Sequence, residues 1–132
     1  MRLTLEADYA IRIIYCLSND RSRLEAKTIA ERTCITLRFA LKILRKLVSA
    51  GLVRSYKGTC GGYELNIEPS EITLLNVIET INGTYFFSRC LSPDGICNRT
   101  GGKGCGFQNV FNEVTHMVKN KLDGYTFDMF IE

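Results

Sequence analysis

A chain of 132 residues with 45% hydrophobic residues is long enough for one compact domain, and no apolar run in it is long enough to cross a bilayer. One histidine, and the lack of a catalytic-triad, paired-carboxylate or nucleotide motif, argue against an enzyme. The N-terminus lacks a signal-peptide core, so we expect a cytoplasmic protein, in which disulfide bonds are not expected. Three of its six cysteines, Cys90, Cys97 and Cys105, cluster in the sequence, and such a cluster in a reducing compartment indicates metal or redox chemistry.

The first half of the chain predicts a helix-turn-helix. Apolar residues recur every three or four positions over about 4–17, which predicts a first helix. A short helix over about 26–32 and the turn Thr33-Cys34-Ile35 follow. Thr36 is expected to cap a third helix that ends near residue 50. The predicted buried stripe of this third helix comprises Leu37, Ala40, Leu44, Leu47 and Val48.

The third predicted helix also carries a basic stripe. Arg38, Lys42 and Arg45 follow one another at offsets of four and three, on a face other than the apolar one. They belong to a run of seven Lys/Arg without an acid between residues 32 and 63. Such a run indicates a polyanion partner, and a helix-turn-helix with bases on its second helix is typical of DNA-binding proteins. The alternative is a solvated basic surface without a partner.

A β-hairpin is predicted directly after the third helix. Residues 52–56 and 63–67 read as two strands, and the glycine-rich segment 57–62 reads as the hairpin tip. A hairpin in this position is a wing, and Lys57 beside glycines suits close approach to a phosphate backbone. The residues predicted to contact DNA are Thr36, Arg38, Lys42, Arg45, Arg54, Tyr56, Lys57 and Gly58.

The second half contains a cysteine-rich loop and a long helix. After a fourth helix capped by Thr73, a loop over about 89–106 carries Cys90, Cys97 and Cys105, which we call the loop cysteines, among several glycines. A helix over about 107–122 follows, and then a final turn in which Phe127, Phe130 and Ile131 are expected to pack back. The long helix has near-heptad apolar spacing, which favours pairing with a second copy over ordinary core packing. The predicted dimer interface is Val110, Phe111, Val114, Met117 and Val118.

The expected fold is therefore mainly α with a small β-hairpin wing. It is a winged helix-turn-helix followed by a long C-terminal dimerisation helix, in one compact unit. Residues 1–82 form the DNA-binding part, residues 83–106 the cysteine-bearing loop, and residues 107–132 the dimerisation helix and C-terminal turn.

The whole chain resembles the Rrf2 family of winged-helix transcription regulators, which includes the IscR, NsrR, RirA and CymR types. The resemblance rests on the segments 1–4, 29–32, 35–39 and 50–53, on the wing Gly61-Gly62-Tyr63, and on segments 71–74 and 89–90. It implies a double-stranded DNA partner, a homodimer, and DNA contacts from Arg38, Lys42 and Lys57. Cys34 stands where the family usually has a turn glycine, and Cys60 where it has a wing glycine.

Many members of this family ligate an iron–sulfur cluster with three cysteines, and the loop cysteines fall in that place. The spacing here is longer, and Gln108 stands where the IscR type has a histidine. The resemblance to the NsrR type makes Asp8 of the partner subunit the best candidate for a fourth ligand. The predicted function is a repressor that responds to redox state, iron or nitric oxide through this cluster.

Two other interpretations stay open. The first is a winged-helix regulator without a cluster, in which the cysteines are reduced thiols or hold structural zinc and the signal comes from a partner protein or small molecule. The second is an iron–sulfur electron carrier, which accounts for the cysteines but not for the basic helix and wing.

Overall fold

Within residues 2–95, 97–99 and 104–132, which the computed structural model describes, the chain forms five α-helices and one two-stranded hairpin. This is the predicted winged-helix architecture with a long C-terminal helix. No helix in these ranges is long and apolar enough to cross a membrane. The elements are α1 (Leu5–Asn19), α2 (Ala26–Thr33), α3 (Leu37–Ser49), β1 (Val53–Tyr56), β2 (Gly62–Leu65), α4 (Leu74–Asn82) and α5 (Gly106–Asp123), with 3-10 turns at Pro69–Glu71, Arg89–Leu91 and Phe127–Phe130.

Helices α1, α2 and α3 surround one apolar core, and hydroxyl caps fix where two of them begin. The Thr4 side chain accepts a hydrogen bond from the Ala7 N–H, and Thr36 accepts one from the Phe39 N–H, as predicted for Thr36. The predicted stripe of α3 was wrong at one position. Leu37 is 46% exposed, because the inward face of α3 is centred on Ile43. The fully buried large side chains of the three helices are Ile13, Ile14, Leu17, Ile29, Ile43, Leu44 and Leu47.

The turn between α2 and α3 is closed by a Schellman motif. The Ile35 N–H donates to the Ala30 carbonyl at 3.0 Å, and the Cys34 N–H donates to the Glu31 carbonyl at 3.4 Å. This geometry places Cys34 in the left-handed region at φ 58°, ψ 42°, where most proteins use glycine. The turn thus sets the direction of α3 relative to α2 while leaving the Cys34 side chain exposed.

The hairpin after α3 is held by a backbone segment that pairs with the start of β2. β1 and β2 are antiparallel, with Val53 opposite Leu65 and Tyr56 opposite Gly62. Leu24, from the segment between α1 and α2, pairs with Tyr63 through two backbone hydrogen bonds of 2.8 and 3.0 Å. Gly62 has φ 142°, and a Cβ there would lie 2.7 Å from the Leu24 carbonyl oxygen, so this close approach requires glycine.

The C-terminal half packs on α1 and α3 through α4. A capping box between Thr73 and Asn76 starts α4, and α5 packs against it. The final turn buries Phe127 almost completely, as predicted. The expectation for its two neighbours was wrong: Phe130 is 43% and Ile131 41% exposed, because the short turn directs only Phe127 into the core.

Candidate nucleic-acid interface and cysteine loop

The outer face of α3 presents the predicted basic stripe. Arg38, Lys42 and Arg45 are exposed and line a groove together with Phe39 and Leu41. Among the described residues, neither Arg38 nor Arg45 forms a salt bridge. Two exposed guanidinium groups beside apolar side chains can bond both phosphates and the edges of base pairs.

Lys42 differs from the two arginines because a carboxylate from α1 holds it. Its Nζ lies 2.8 Å from Oε1 of Glu6, and Nζ of Lys46 lies 2.9 Å from Oε2 of the same side chain. These contacts lower the pKa of Glu6 from its ordinary 4.5 to about 2, Lys42 contributing most. Glu6 is therefore ionised throughout the physiological pH range.

The wing carries a stack of side chains that sequence reasoning found only in part. The guanidinium of Arg23 lies 3.3 Å from the centre of the Tyr56 ring, and its Nη1 donates to the Cys60 carbonyl at 3.4 Å. The Tyr56 hydroxyl donates to Glu64, while Arg54 donates to Asn66 through Nε and Nη2. Arg23 lies 33 positions before Tyr56, so no local pattern linked it to the wing.

The wing tip holds the other two predicted DNA contacts. Lys57 and Gly58 are exposed, and Gly58 has φ 91°. A Cβ on Gly61 would lie 2.7 Å from the Tyr56 carbonyl oxygen, which keeps the tip tight. A narrow tip ending in an ammonium group is suited to a phosphate contact beside a groove.

All three loop cysteines precede α5 in the chain, and all three are partly buried. Cys90 lies in a 3-10 turn, where its Sγ is 3.2 Å from the Ser88 Oγ. The Gln108 side-chain amide donates to the Cys90 carbonyl at 3.3 Å, so the residue in place of a family histidine joins this turn to α5.

Cys105 is the residue immediately before α5, where backbone N–H groups lack helical acceptors. The N–H of Gln108 and the guanidinium of Arg99, whose Nη2 lies 3.2 Å from Sγ, lower the pKa of the Cys105 thiol. A stabilised thiolate is the protonation state that a soft metal ligand needs.

The predicted ligands are not gathered into one metal site in the part of the chain that the structure describes. No group of three His, Cys, Asp or Glu side chains within reach of one ion occurs there. Asp8 lies on α1, where its carboxylate pairs with Arg12 at 2.9 Å. Residues 96 and 100–103, which complete the predicted loop, are outside the described residues. In donor chemistry the set still fits a cluster, because it offers three thiols and a carboxylate.

Helix α5 divides its apolar residues between two faces. Phe111 and Val118 are partly buried on the inner side, where the Phe111 ring packs 5.3 Å from the ring of Phe87. Val114, which is also partly buried, lies between the two faces. Val118 lines a groove with Ile78 of α4. The outward side chains are much more exposed: Phe107 65%, Val110 53% and Met117 71%.

Comparisons with known proteins agree with this geometry. Residues 3–132 match the model of the family Rrf2, described as "Iron-dependent Transcriptional regulator". The chain is 31% identical to Protein aau3 of Rhizobium meliloti, over all of this chain and 86% of that protein. It is 29% identical to the HTH-type transcriptional regulator IscR of Aliivibrio salmonicida (94% of this chain, 73% of that one) and 27% identical to the HTH-type transcriptional regulator NsrR of Bacillus subtilis (96% and 87%).

Solved structures share the fold. IscR from T. potens superposes with a TM-score of 0.76 at 22% identity, over 97% of this chain and 84% of that one. CymR, the global cysteine regulator of B. subtilis, superposes with a TM-score of 0.78 at 23% identity, over 97% and 94%.

Proposed function

We propose that this chain, which belongs to the Rrf2 family of DNA-binding, non-enzymatic transcriptional regulators, is a dimeric repressor that reads a symmetric operator. In this proposal an iron–sulfur cluster on its loop cysteines controls the repressor. The observation that carries the DNA-reading part is the arrangement of bases on α3 and the wing. Seven Lys/Arg without an intervening acid lie between residues 32 and 63, and six of them lie on α3 and the hairpin beside it, while Arg32 lies at the end of α2.

In this proposal α3 lies in the major groove and the wing follows the backbone. Arg38 and Arg45, with Lys42, reach base edges and adjacent phosphates from one face of α3. Thr36, at the N-terminus of α3, lies where a phosphate would meet unpaired N–H groups. Arg54 and Tyr56 fix the shape of the wing, and its tip residues, Lys57 and Gly58, contact phosphates.

Selection from a pool of random duplexes tests this proposal. The pool should be long enough for two half-sites one or two helical turns apart, and the protein is used both as purified and after anaerobic reconstitution with iron and sulfide. We expect enrichment of a pseudo-palindromic sequence in at least one state. No enrichment in either state would refute operator reading.

The cluster part of the proposal is supported by donor type and by connection to the fold. When bound, the cluster supplies a charge and a set of bonds that change with iron supply, oxidation or nitric oxide. The three thiolates would hold it, with Asp8 of the partner subunit as the fourth ligand, and Asp8 would first have to leave Arg12. A carboxylate is the more exchangeable ligand, and this suits a sensor that must lose its cluster.

The residues around the loop cysteines can carry a change toward the DNA-binding face. Gln108 joins the Cys90 turn to α5, and the Thr115 hydroxyl on α5 accepts from the Phe87 N–H at 3.0 Å. Lys119 on α5 pairs with Glu79 on α4 at 3.5 Å. Helix α4 packs directly against α1 and α3. A rearrangement at the loop cysteines would thus bias two packed helices before it reaches the recognition helix.

Anaerobic reconstitution with ferrous iron and sulfide tests the cluster. We expect a visible chromophore with stoichiometric iron and sulfide in the wild type, and its loss when all three loop cysteines are changed to Ser. The control carries Ser at Cys16, Cys34 and Cys60, which removes the same number of thiols and should retain the chromophore. If the loop variant takes up as much iron and sulfide as the wild type, the assignment is wrong.

A cluster-free regulator is the second candidate, favoured by one observation: the described residues do not gather three ligand side chains around one point. The same experiment separates the two. A wild type that binds operator duplex but takes up neither iron nor sulfide would establish the cluster-free alternative and remove the cluster from the proposal.

The dimer is proposed on the outward face of α5. Three large apolar side chains, Phe107, Val110 and Met117, are more than half exposed along this face, and a monomer would leave them in water. Val114 lies between them in the heptad order, whereas Phe111 and Val118 contact their own chain. The proposed seam is therefore narrower than the sequence suggested, with Val110, Val114 and Met117 at its centre.

A further inference from the structure

One acidic side chain lies against the recognition helix. Glu6, in the first turn of α1, places each carboxylate oxygen within 2.9 Å of a different lysine of α3: Oε1 contacts Lys42 and Oε2 contacts Lys46. All three side chains remain partly open to solvent. The contact joins residues 36 and 40 positions apart, so it depends on the tertiary fold rather than on the helix itself.

The charge of Glu6 opposes the charge of DNA. A phosphate that approaches Lys42 or Lys46 comes within a few ångströms of a carboxylate whose lone pairs those ammonium groups already occupy. Forming a phosphate contact then requires the lysine to share or leave Glu6, and the carboxylate repels the phosphate. An amide in the same place would offer one acceptor oxygen and an N–H2 donor, so it would hold at most one of the two lysines in this way and would not repel the phosphate.

We propose that Glu6 competes with DNA phosphates for Lys42 and Lys46 and thereby limits the affinity of the recognition helix for duplex DNA of any sequence. This inference rests on the proposed function, because it requires α3 to face the duplex. If Glu6 competes in this way, non-specific and salt-dependent binding to DNA is weaker than the seven basic residues alone would produce. Contacts of Arg38 and Arg45 with base edges then contribute a larger share of the total affinity.

The size of the effect follows from the type of pair. Exposed ion pairs of this kind contribute modestly, so release of two of them should raise affinity by about two- to thirtyfold at moderate salt. Removing the carboxylate should also allow about one more contact between a lysine and a phosphate. The slope of log K against log salt should therefore become steeper by about one. The gain should shrink as salt rises, because screening weakens both the pair and its competitor.

The experiment measures binding of the full-length protein to a fluorescent random-sequence duplex by anisotropy, over a series of salt concentrations. Glu6→Gln keeps the size and polarity of the side chain and removes the charge. Glu68→Gln is the matched control, because Glu68 forms an exposed pair with Arg21 at 3.2 Å and gives the same change in net charge. We expect E6Q to bind more tightly than E68Q, and Glu6→Lys to bind more tightly still.

A double-mutant cycle checks the partner. In a Lys42→Met background the gain from E6Q should fall, because one of the two competing lysines is gone. Thermal unfolding by circular dichroism verifies that each variant is folded.

The outcomes separate this inference from the proposed function. If the wild type binds duplex DNA but E6Q binds no more tightly than E68Q, or more weakly, Glu6 does not compete with DNA and only the inference fails. If neither the wild type nor E6Q binds any duplex, the inference and the DNA-reading proposal fail together.

Discussion

Replacing Cys34 by glycine should stabilise the protein, and the reason is confined to one residue of the helix-turn-helix. Cys34 is held at φ 58°, ψ 42° by the Schellman motif that ends α2, and no other non-glycine residue among those described has a positive φ. An L-residue in this region costs about 1–2 kcal/mol, because its Cβ crowds the following carbonyl oxygen. Glycine removes that cost but gives the unfolded chain more freedom, worth roughly 0.5–1 kcal/mol.

The difference between these terms predicts that C34G raises the free energy of unfolding by about 0.5–1 kcal/mol. With an entropy of unfolding of about 2.1 cal/mol/K per residue, this corresponds to a rise in Tm of roughly 2–4 °C for a chain of this length. The rise is measurable by thermal or denaturant unfolding at one fixed protein concentration, since the proposed dimerisation would make Tm depend on concentration.

Cys34→Ala is the control that isolates the backbone. Alanine removes the exposed thiol and keeps the Cβ, so we expect C34A to stay within about 0.5 kcal/mol of the wild type. Cys34→Asn should lie between the two, because asparagine tolerates the left-handed region better than other residues with a Cβ. If C34A is as stable as C34G, the thiol rather than the backbone conformation limits stability, and the argument is refuted.

Two further predictions concern the proposed DNA and dimer contacts. Lys57→Ala should weaken binding to all duplexes alike and reduce the slope of log K against log salt by about one. Arg38→Ala should cost about 1–3 kcal/mol of binding free energy on the selected operator and relax the sequence preference of the protein. Equal behaviour of the two variants on operator and random duplex would contradict this division. Val110→Asp places a charge in the proposed seam and should give a monomer by light scattering, while Asn112→Asp on the opposite, exposed face should leave the dimer intact. A V110D protein that is still a stable dimer would exclude this seam.

The helices and the wing could be predicted because their signals are local. Apolar periodicity predicted the ends of α1, α2 and α3 to within two residues. Thr36 and Thr73 could be recognised as N-caps because each places a hydroxyl side chain directly before an apolar helical pattern. The error at Leu37 has a local cause as well. Leu37 lies in the first turn of α3, off the inward face that is centred on Ile43.

The side-chain contacts of the candidate sites could not be predicted in the same way. Arg23 reaches the wing because Leu24 is bridged to Tyr63, and Glu6 reaches α3 because α1 crosses it. Both contacts span more than thirty positions and carry no periodic signal. Gln108 was identified only as a substitution for histidine, and its bond to the Cys90 carbonyl required the turn and α5 to be placed together.

The first turn of α1 connects the two proposed activities. Glu6 contacts the recognition helix of its own chain, and Asp8, two positions later, is the candidate ligand for the cluster of the partner subunit. Side chains two positions apart on a helix point to different faces. One short segment can therefore contact both α3 of its own chain and the cysteine loop of the partner subunit. Asp8 must release Arg12 before it can bind a metal, and Arg12 in turn donates to the Thr33 carbonyl at the end of α2. Ligation in one protomer would therefore alter the Arg12 contact at the end of α2 in the other, directly before the turn that leads into α3, and this would couple the cysteine loop to the DNA-binding helix across the proposed dimer.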